Sequence, residues 1–152
     1  MYHVPVLLKE SINGLDIKPN GIYVDVTFGG GGHSRTILEK LDKGKLVAFD
    51  QDQDAAENAS KLYDEFPERS FVFVQANFKD LKKYLKLHSI NKVDGVLADL
   101  GVSSHQFNES DRGFSIRFDG PLDMRMNQNQ SLSAEEVING YDERDLVHMF
   151  SS

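Results

Sequence analysis

A run of four glycines, residues 29–32, follows a β-branched stretch and precedes a segment with helical spacing. Glycine accepts the positive φ angles of a tight turn and allows a ligand to approach the backbone closely. A helix that begins directly after such a turn directs its first N–H groups at the ligand, which favours a carboxylate or a phosphate. The dinucleotide fingerprint G-x-G-x-x-G is matched by Gly29 and Gly31, but Ser34 stands at its third glycine. The glycines alone therefore leave open a tight turn that binds nothing.

Two acidic residues that follow the glycine run in the sequence each end a predicted strand. Asp50 follows it by about 20 residues, the position from which a carboxylate accepts hydrogen bonds from ribose hydroxyls. Asp99 ends the fourth predicted strand, so we expect it to face the crevice at the carboxyl ends of strands one and four, where the strand order reverses. Capping the following turn is the alternative role for Asp99. Together, the glycines, Asp50 and the sheet predict a site for a nucleoside-containing cofactor.

Metal sites are not favoured by the sequence. Residues 50–54 begin like a calcium loop, but Ala55 stands where that loop needs glycine and Lys61 where it needs glutamate. We therefore interpret Asp52 as a helix N-cap. The five histidines lack ligand spacing, and the chain has no cysteine.

The elements that must position these residues alternate along the chain. Predicted strands cover residues 22–27, 45–49, 71–74 and 93–100, and predicted helices cover residues 6–13, 33–41, 52–66 and 78–87. Short crossover helices between strands require parallel pairing and right-handed connections, which gives an open α/β sheet of the Rossmann type. In the last helix we expect Phe78, Leu81 and Leu85 to face the core.

The remaining third of the chain has a different character. Residues 102–125 show no periodic segment, and helical character returns at Ser133, which forms a capping-box pattern with Glu136. We predict a sheet domain over residues 1–110, a long loop over residues 111–132 and a helical region over residues 133–152. A four-stranded sheet with an open edge predicts that this chain is a fragment, or that a second chain or further residues complete the fold.

Composition limits the possible functions. The 152 residues include 17 Lys and Arg against 24 Asp and Glu, so the net charge of −7 argues against nucleic-acid binding by bulk charge alone. No apolar run approaches the roughly 20 residues of a membrane helix. The N-terminal residues lack the basic flank and apolar core of a signal peptide. We expect a cytoplasmic protein without a membrane segment.

Seven segments carry a more specific similarity. They are residues 3–8, 25–34, 49–52, 77–78, 99–106, 112–115 and 120–126. Together they resemble the bacterial small-subunit ribosomal RNA (cytosine-N4) methyltransferase family, which uses S-adenosylmethionine. Residues 112–126 are the most specific part, because neither periodicity nor a generic cofactor fold requires them. Two positions depart from the family pattern: Gln51 replaces a common arginine, and His105 replaces a common proline.

The resemblance implies a methyltransferase-type Rossmann sheet, with residues 1–110 as an incomplete S-adenosylmethionine-binding domain. Residues 133–152 would begin a helical substrate-binding domain that is inserted after strand four. The implied reaction is methyl transfer to the exocyclic N4 amine of a cytidine, and the implied partner is small-subunit ribosomal RNA or the assembled small ribosomal subunit. The family's cofactor contacts fall on Gly31, Gly32, His33, Asp50, Phe78, Asp99 and Gln106.

Several roles stay open at this point. We expect Asp99 to be the catalytic acceptor at the N4 amine, or else to serve only the cofactor. Phe78 either stacks on adenine or packs in the core, and Phe107 and Phe114 are candidates for stacking on the target base. The loop arginines, Arg112, Arg117 and Arg125, either touch phosphates, or are solvated at the surface or paired with Asp111, Asp119 and Asp123. The alternative functions are an NAD-dependent oxidoreductase and a non-catalytic cofactor-binding fragment.

Overall fold

The computed structural model describes residues 5–151, so residues 3 and 4 of the first resembling segment lie outside it. The strands are β1 (Ile22–Asp25), β2 (Lys45–Asp50), β3 (Ser70–Gln75) and β4 (Gly95–Leu97). The α-helices are α1 (Leu8–Leu15), α2 (Gly32–Lys40), α3 (Asp54–Glu65), α4 (Leu81–Leu87), α5 (Ser104–Asn108), α6 (Ala134–Gly140) and α7 (Glu143–Ser151). Short 3-10 helices cover Phe78–Asp80 and Ser110–Arg112. The chain divides into two units, one ending at Leu100 and one beginning at Gly101.

The four strands form one parallel sheet in the order β3-β2-β1-β4. From β1 the chain builds outward through β2 and β3, then returns to place β4 on the other side of β1. This arrangement confirms the predicted open Rossmann-type sheet, with its reversal of strand order between β1 and β4. The carboxyl ends of these two strands border the crevice in which such sheets bind ligands.

Helices cover both faces of the sheet. On one face, Leu38 of α2 and Leu62 of α3 pack in a buried cluster with Leu46 of β2. On the other face, Leu85 of α4 packs against a buried cluster that includes Phe49. Burial of these apolar side chains supplies the main stabilisation of the sheet unit and fixes the strand ends relative to one another.

The segment before α4 differs from the prediction. Residues Phe78–Asp80 form a 3-10 turn, in which the Asn77 side chain accepts a hydrogen bond from the Lys79 N–H at 2.9 Å. A 3-10 turn has 3.0 residues per turn, so it shifts the phase of the side chains relative to the α-helix that follows. Leu81 and Leu85 pack against the core as predicted. Phe78 is 43% exposed, so its predicted inward orientation is wrong.

The fourth strand is shorter than its apolar sequence suggests. Only Gly95–Leu97 pairs with β1, against the predicted residues 93–100. Val96 lies on this edge strand and is 48% exposed. β4 is an edge strand with no neighbour on its outer side, so β1 alone aligns its backbone. This pairing covers only three residues.

The second unit contains helices that begin with capping boxes. Ser133 and Glu136 form the predicted box at the start of α6. Ser103 and Gln106 form a second box at α5, inside the stretch that was predicted to lack periodic structure. No helix within the described residues 5–151 has the length and apolar character needed to cross a membrane.

Candidate functional site

The glycine turn connects β1 to α2 in a left-handed conformation. Gly29 has φ +49° and Gly31 has φ +76°, values that L-residues with a Cβ rarely adopt. The Gly31 N–H donates to the Phe28 carbonyl at 2.8 Å, and the Phe28 N–H donates to the Phe49 carbonyl at 3.0 Å. The turn is therefore fastened to the end of β2 through Phe28, whose ring is buried.

The four glycines of the turn have different neighbours. A Cβ on Gly31 would lie 2.9 Å from the Phe28 ring, and a Cβ on Gly32 would lie 2.4 Å from Pro5. No atom lies within 4 Å of the corresponding position at Gly29 or Gly30. Packing within the protein therefore requires glycine at positions 31 and 32, while the backbone at Gly29 and Gly30 has an open side.

Asp50 holds this turn from the end of β2. Its Oδ2 accepts a hydrogen bond from the Gly29 N–H at 2.7 Å, and its Oδ1 accepts one from the Asp52 N–H at 2.9 Å. Burial raises the pKa of the Asp50 carboxyl, although these backbone hydrogen bonds oppose the shift. Each carboxylate oxygen has a second lone pair, so Asp50 retains capacity to accept ligand hydroxyls. The prediction of Asp52 as a helix N-cap is wrong, because α3 begins at Asp54 with Gln53 at its N-cap; Asp52 lies one position earlier and accepts the Asp54 N–H at 3.1 Å.

Asp25 is a buried carboxylate that our sequence reasoning did not select. Its Oδ2 accepts the Ser34 hydroxyl at 2.7 Å, and its Oδ1 accepts the Thr27 N–H at 3.0 Å. Burial is the largest effect on Asp25 and raises the pKa of its carboxyl. Asp25 thus joins the end of β1 to the first turn of α2. The signal in the sequence is an acidic residue within an otherwise apolar strand.

The ends of β1 and β4 meet through Thr27 and Asp99. The Asp99 N–H donates to the Thr27 hydroxyl oxygen at 2.7 Å, and the Asp99 carboxylate is about half exposed. His33 Nδ1 lies 4.0 Å from Asp99 Oδ2. The His33 ring is buried, and its Nε2 has no hydrogen-bond partner among the described residues. This edge of the sheet therefore presents one half-exposed carboxylate and one buried nitrogen that has no hydrogen-bond partner within residues 5–151.

Phe78 and Asn77 follow the end of β3. Asp50 pairs in register with Gln75, so Phe78 comes three residues after the sheet position beside Asp50. The Asn77 amide donates to Gln51 Oε1 at 3.0 Å and ties the β3 end to the β2 end. The exposure of Phe78 rules out the core role and leaves its ring available for stacking on a flat ligand.

Gln106 lies in the second unit, in the first turn of α5. Its Oε1 accepts the Ser103 N–H at 2.9 Å, and its own N–H donates to the Ser103 hydroxyl at 3.2 Å. Gln106 is buried and stabilises the start of this helix. A contact between Gln106 and a cofactor stays a prediction.

Two of the three loop arginines are used within the second unit. Arg112 is buried, and its Nη2 donates to the carbonyls of Arg125 and Met126 at 3.3 and 3.1 Å. Arg125 pairs with Asp123 at 2.6 Å, and this contact lowers the pKa of the Asp123 carboxyl. The pairing alternative is therefore confirmed for Arg125, and a phosphate contact is wrong for Arg112 because its burial removes it from the surface. Arg117 is exposed.

No group of three or more His, Asp or Glu side chains that could hold a metal ion occurs among residues 5–151. The site's polar groups are carboxylates, a histidine and backbone amides at the carboxyl edge of the sheet. These polar groups suit a ligand with hydroxyl groups, and the exposed Phe78 ring suits a ligand with a flat ring.

Known proteins resemble the chain in both sequence and fold. The ribosomal RNA small subunit methyltransferase H of Christiangramia forsetii is 62% identical over 150 residues, which are 98% of this chain and 48% of that protein. The same-named protein of Cytophaga hutchinsonii is 59% identical over 146 residues, or 96% of this chain and 48% of that protein. The chain therefore spans about half the length of the curated relatives it matches.

A solved structure shares the fold at lower identity. The C-terminal domain of precorrin-6Y C5,15-methyltransferase from Rhodobacter capsulatus aligns with a TM-score of 0.50 and 16% identity, covering 67% of this chain and 52% of that one. At this identity the likeness shows the sheet architecture alone. The family model described as the MraW methylase family matches residues 1–152, and the chain belongs to that family.

Proposed function

We propose that the protein transfers a methyl group from S-adenosylmethionine to the exocyclic N4 amine of a cytidine in small-subunit ribosomal RNA. Membership of the methylase family and the names of the relatives support the reaction type and the RNA. The observation that carries the proposal is Asp50, a strand-end carboxylate that holds the glycine turn and keeps free acceptor capacity. The proposal includes a cytoplasmic location, and naked RNA and the assembled small subunit are the alternative substrates.

The residues at the sheet edge fit the proposed cofactor. Asp50 would accept the ribose hydroxyls with its remaining lone pairs, and the half-exposed Phe78 ring would stack on adenine. The open backbone at Gly29 and Gly30 allows close approach of the ligand. Bound there, S-adenosylmethionine supplies an electrophilic methyl group on its sulfonium.

The α2 end of the glycine turn would contact the methionine part. Gly31 and Gly32 begin α2, whose first N–H groups favour a carboxylate. His33 is the next residue, and its buried Nε2 lacks a partner among the described residues, which fits a polar ligand atom. Gln106 completes the proposed set on the family resemblance alone.

Asp99 is the proposed catalytic residue. The N4 amine of cytosine is a weak nucleophile because its lone pair is delocalised into the ring. A carboxylate that accepts an N–H hydrogen bond favours the pyramidal amine and takes the proton that the amine must lose. Asp99 is the half-exposed carboxylate at the β4 end, and its backbone is fixed by the hydrogen bond to Thr27. The target base must leave its stack to reach this carboxylate.

The proposal is tested by measuring N4-methylcytidine in small-subunit ribosomal RNA after incubation with S-adenosylmethionine. We expect Asp99→Asn to lower kcat by about 10²-fold or more, because the amide cannot accept the proton. Asp64→Asn is the matched control, since Asp64 is an exposed carboxylate on α3, away from the carboxyl edge. Methylation of a different atom, or unchanged turnover by Asp99→Asn, would contradict the proposal.

A further inference from the structure

Four lysines form a line on the outer side of the segment that contains α4. This lysine stripe consists of Lys79, Lys82, Lys83 and Lys86. Lys82, Lys83 and Lys86 have the i, i+1 and i+4 spacing of one side of α4, Lys79 lies in the 3-10 turn directly before it, and all four are exposed. Leu81, Tyr84 and Leu85 occupy the opposite face and pack against the sheet. The stripe spans about 10 Å along the helix axis.

The lysine stripe concentrates positive charge in an acidic protein. Residues 79–92 hold five lysines and one acid, whereas the whole chain has a net charge of −7. No ion pair in the described part of the chain involves a lysine of the stripe. The Lys83 ammonium lies 5.8 Å from the centroid of the Tyr84 ring.

This arrangement opposes the stability of the helix. Like charges at i, i+3 and i+4 of an α-helix repel by a few tenths of a kcal/mol per pair, and α4 contains two such pairs, Lys82 with Lys86 and Lys83 with Lys86. α4 has only seven residues, so it has few backbone hydrogen bonds with which to offset the repulsion. A polyanion that contacts the stripe would remove the repulsion.

The stripe begins beside the proposed cofactor site. Lys79 directly follows Phe78 and lies four positions after Gln75, the last residue of β3. As a crossover helix in a parallel sheet, α4 leads from the carboxyl edge of the sheet back toward its opposite edge. A nucleic-acid strand that reaches the crevice can therefore continue along the stripe.

We infer that the lysine stripe binds the phosphate backbone of the RNA substrate, an inference that rests on the proposed function. Lysine ammonium groups contact phosphates as point charges without reading sequence. The acidic remainder of the protein repels a polyanion, so the stripe also limits the orientations in which RNA can bind.

The test compares two triple variants with the same loss of charge. Lys82→Gln, Lys83→Gln and Lys86→Gln together remove the stripe, and Lys9→Gln, Lys40→Gln and Lys43→Gln together remove three exposed lysines elsewhere. The Kd for small-subunit ribosomal RNA is measured at several salt concentrations. For the stripe variant we expect affinity to fall roughly tenfold or more and the slope of log K against log salt to drop by about 2. The control should lose much less.

Further measurements separate this inference from the proposed function. Lys82→Arg, Lys83→Arg and Lys86→Arg together should retain RNA binding, because they keep the charge. The Kd for S-adenosylmethionine should not change in any of these variants, which distinguishes lost RNA contact from misfolding. Equal losses for the stripe variant and the control, or a loss confined to assembled subunits, would overturn the inference. RNA binding through the stripe without N4 methylation would instead refute only the proposed reaction.

Discussion

At the residue scale, two carboxylates at neighbouring strand ends shape the glycine turn. Asp50 accepts the Gly29 N–H at the start of the turn, and Asp25 accepts the Ser34 hydroxyl just beyond it. Burial raises the pKa of both carboxyls. A buried carboxylate costs stability when it is ionised. These two carboxylates lie where they fix the backbone that would contact the ligand.

Asp25→Asn tests the burial of this charge. The pKa of Asp25 is higher in the folded protein than in the unfolded chain, so ionisation of this carboxyl lowers the free energy of unfolding. This loss is absent below the ordinary pKa of 3.8, grows as the pH rises from there through the folded pKa, and is constant above it. Asparagine does not titrate, and its Oδ1 can still accept the Thr27 N–H. We expect the free energy of unfolding of the variant, relative to the wild type, to increase with pH across this window and then level off. Urea unfolding of the variant and the wild type at a series of pH values measures this difference in free energy. A difference that does not change with pH would contradict the raised pKa of Asp25.

The sequence identifies some of these residues as functional and does not identify others. Asp50 is identifiable because it ends an apolar run at a characteristic distance after the glycines. Asp25 was missed because periodicity does not reveal that its carboxylate turns toward Ser34 and Thr27. The sequence selects Gly31 and Gly32 for ligand approach, and the structure adds a packing reason, contact with Phe28 and Pro5, that depends on the folded positions of these side chains.

At the element scale, buried helix faces hold the strand ends in place. α2 begins at the glycine turn and buries Ile37 and Leu38 completely against the sheet. Its position therefore determines where the first N–H groups of the helix point. α4 packs on the opposite face and leaves Leu87, near its C-terminal end, 69% exposed.

Leu38→Ala should lower the free energy of unfolding by about 2 to 5 kcal/mol, because it leaves a cavity in a close-packed cluster. Leu87→Ala is the matched control: the same atoms are removed from an exposed helical position, and we expect a change within about 0.5 kcal/mol. Chemical denaturation of both variants provides the comparison. Similar losses at the two positions would show that α2 does not pack as described.

The elements themselves were predictable where apolar patterns are long. The first three strands and α2 and α3 agree with their predicted positions to within a few residues, because continuous apolar runs and helical spacing define them. α5 was not predicted, since five residues are too few to show a period and a side-chain capping box holds them. The 3-10 turn at Phe78 was missed because its cause is a local hydrogen bond from Lys79 to Asn77.

At the scale of the whole molecule, strand order brings together residues that are far apart in sequence. The reversal between β1 and β4 places Thr27 beside the backbone of Asp99, 72 positions later. In the same sheet, Asp50 at the end of β2 accepts a hydrogen bond from the glycine turn. We propose that this carboxyl edge binds S-adenosylmethionine, with its sugar on Asp50 and its amino-acid end at the glycine turn.

A crystal structure of the protein with the demethylated product, S-adenosylhomocysteine, tests this claim most directly. We predict that the ribose hydroxyls lie within about 3 Å of the Asp50 carboxylate oxygens and that the amino-acid end contacts the backbone of the glycine turn. A ribose bound away from Asp50 would contradict the account. So would an empty crevice at a ligand concentration that saturates the protein in a calorimetric titration.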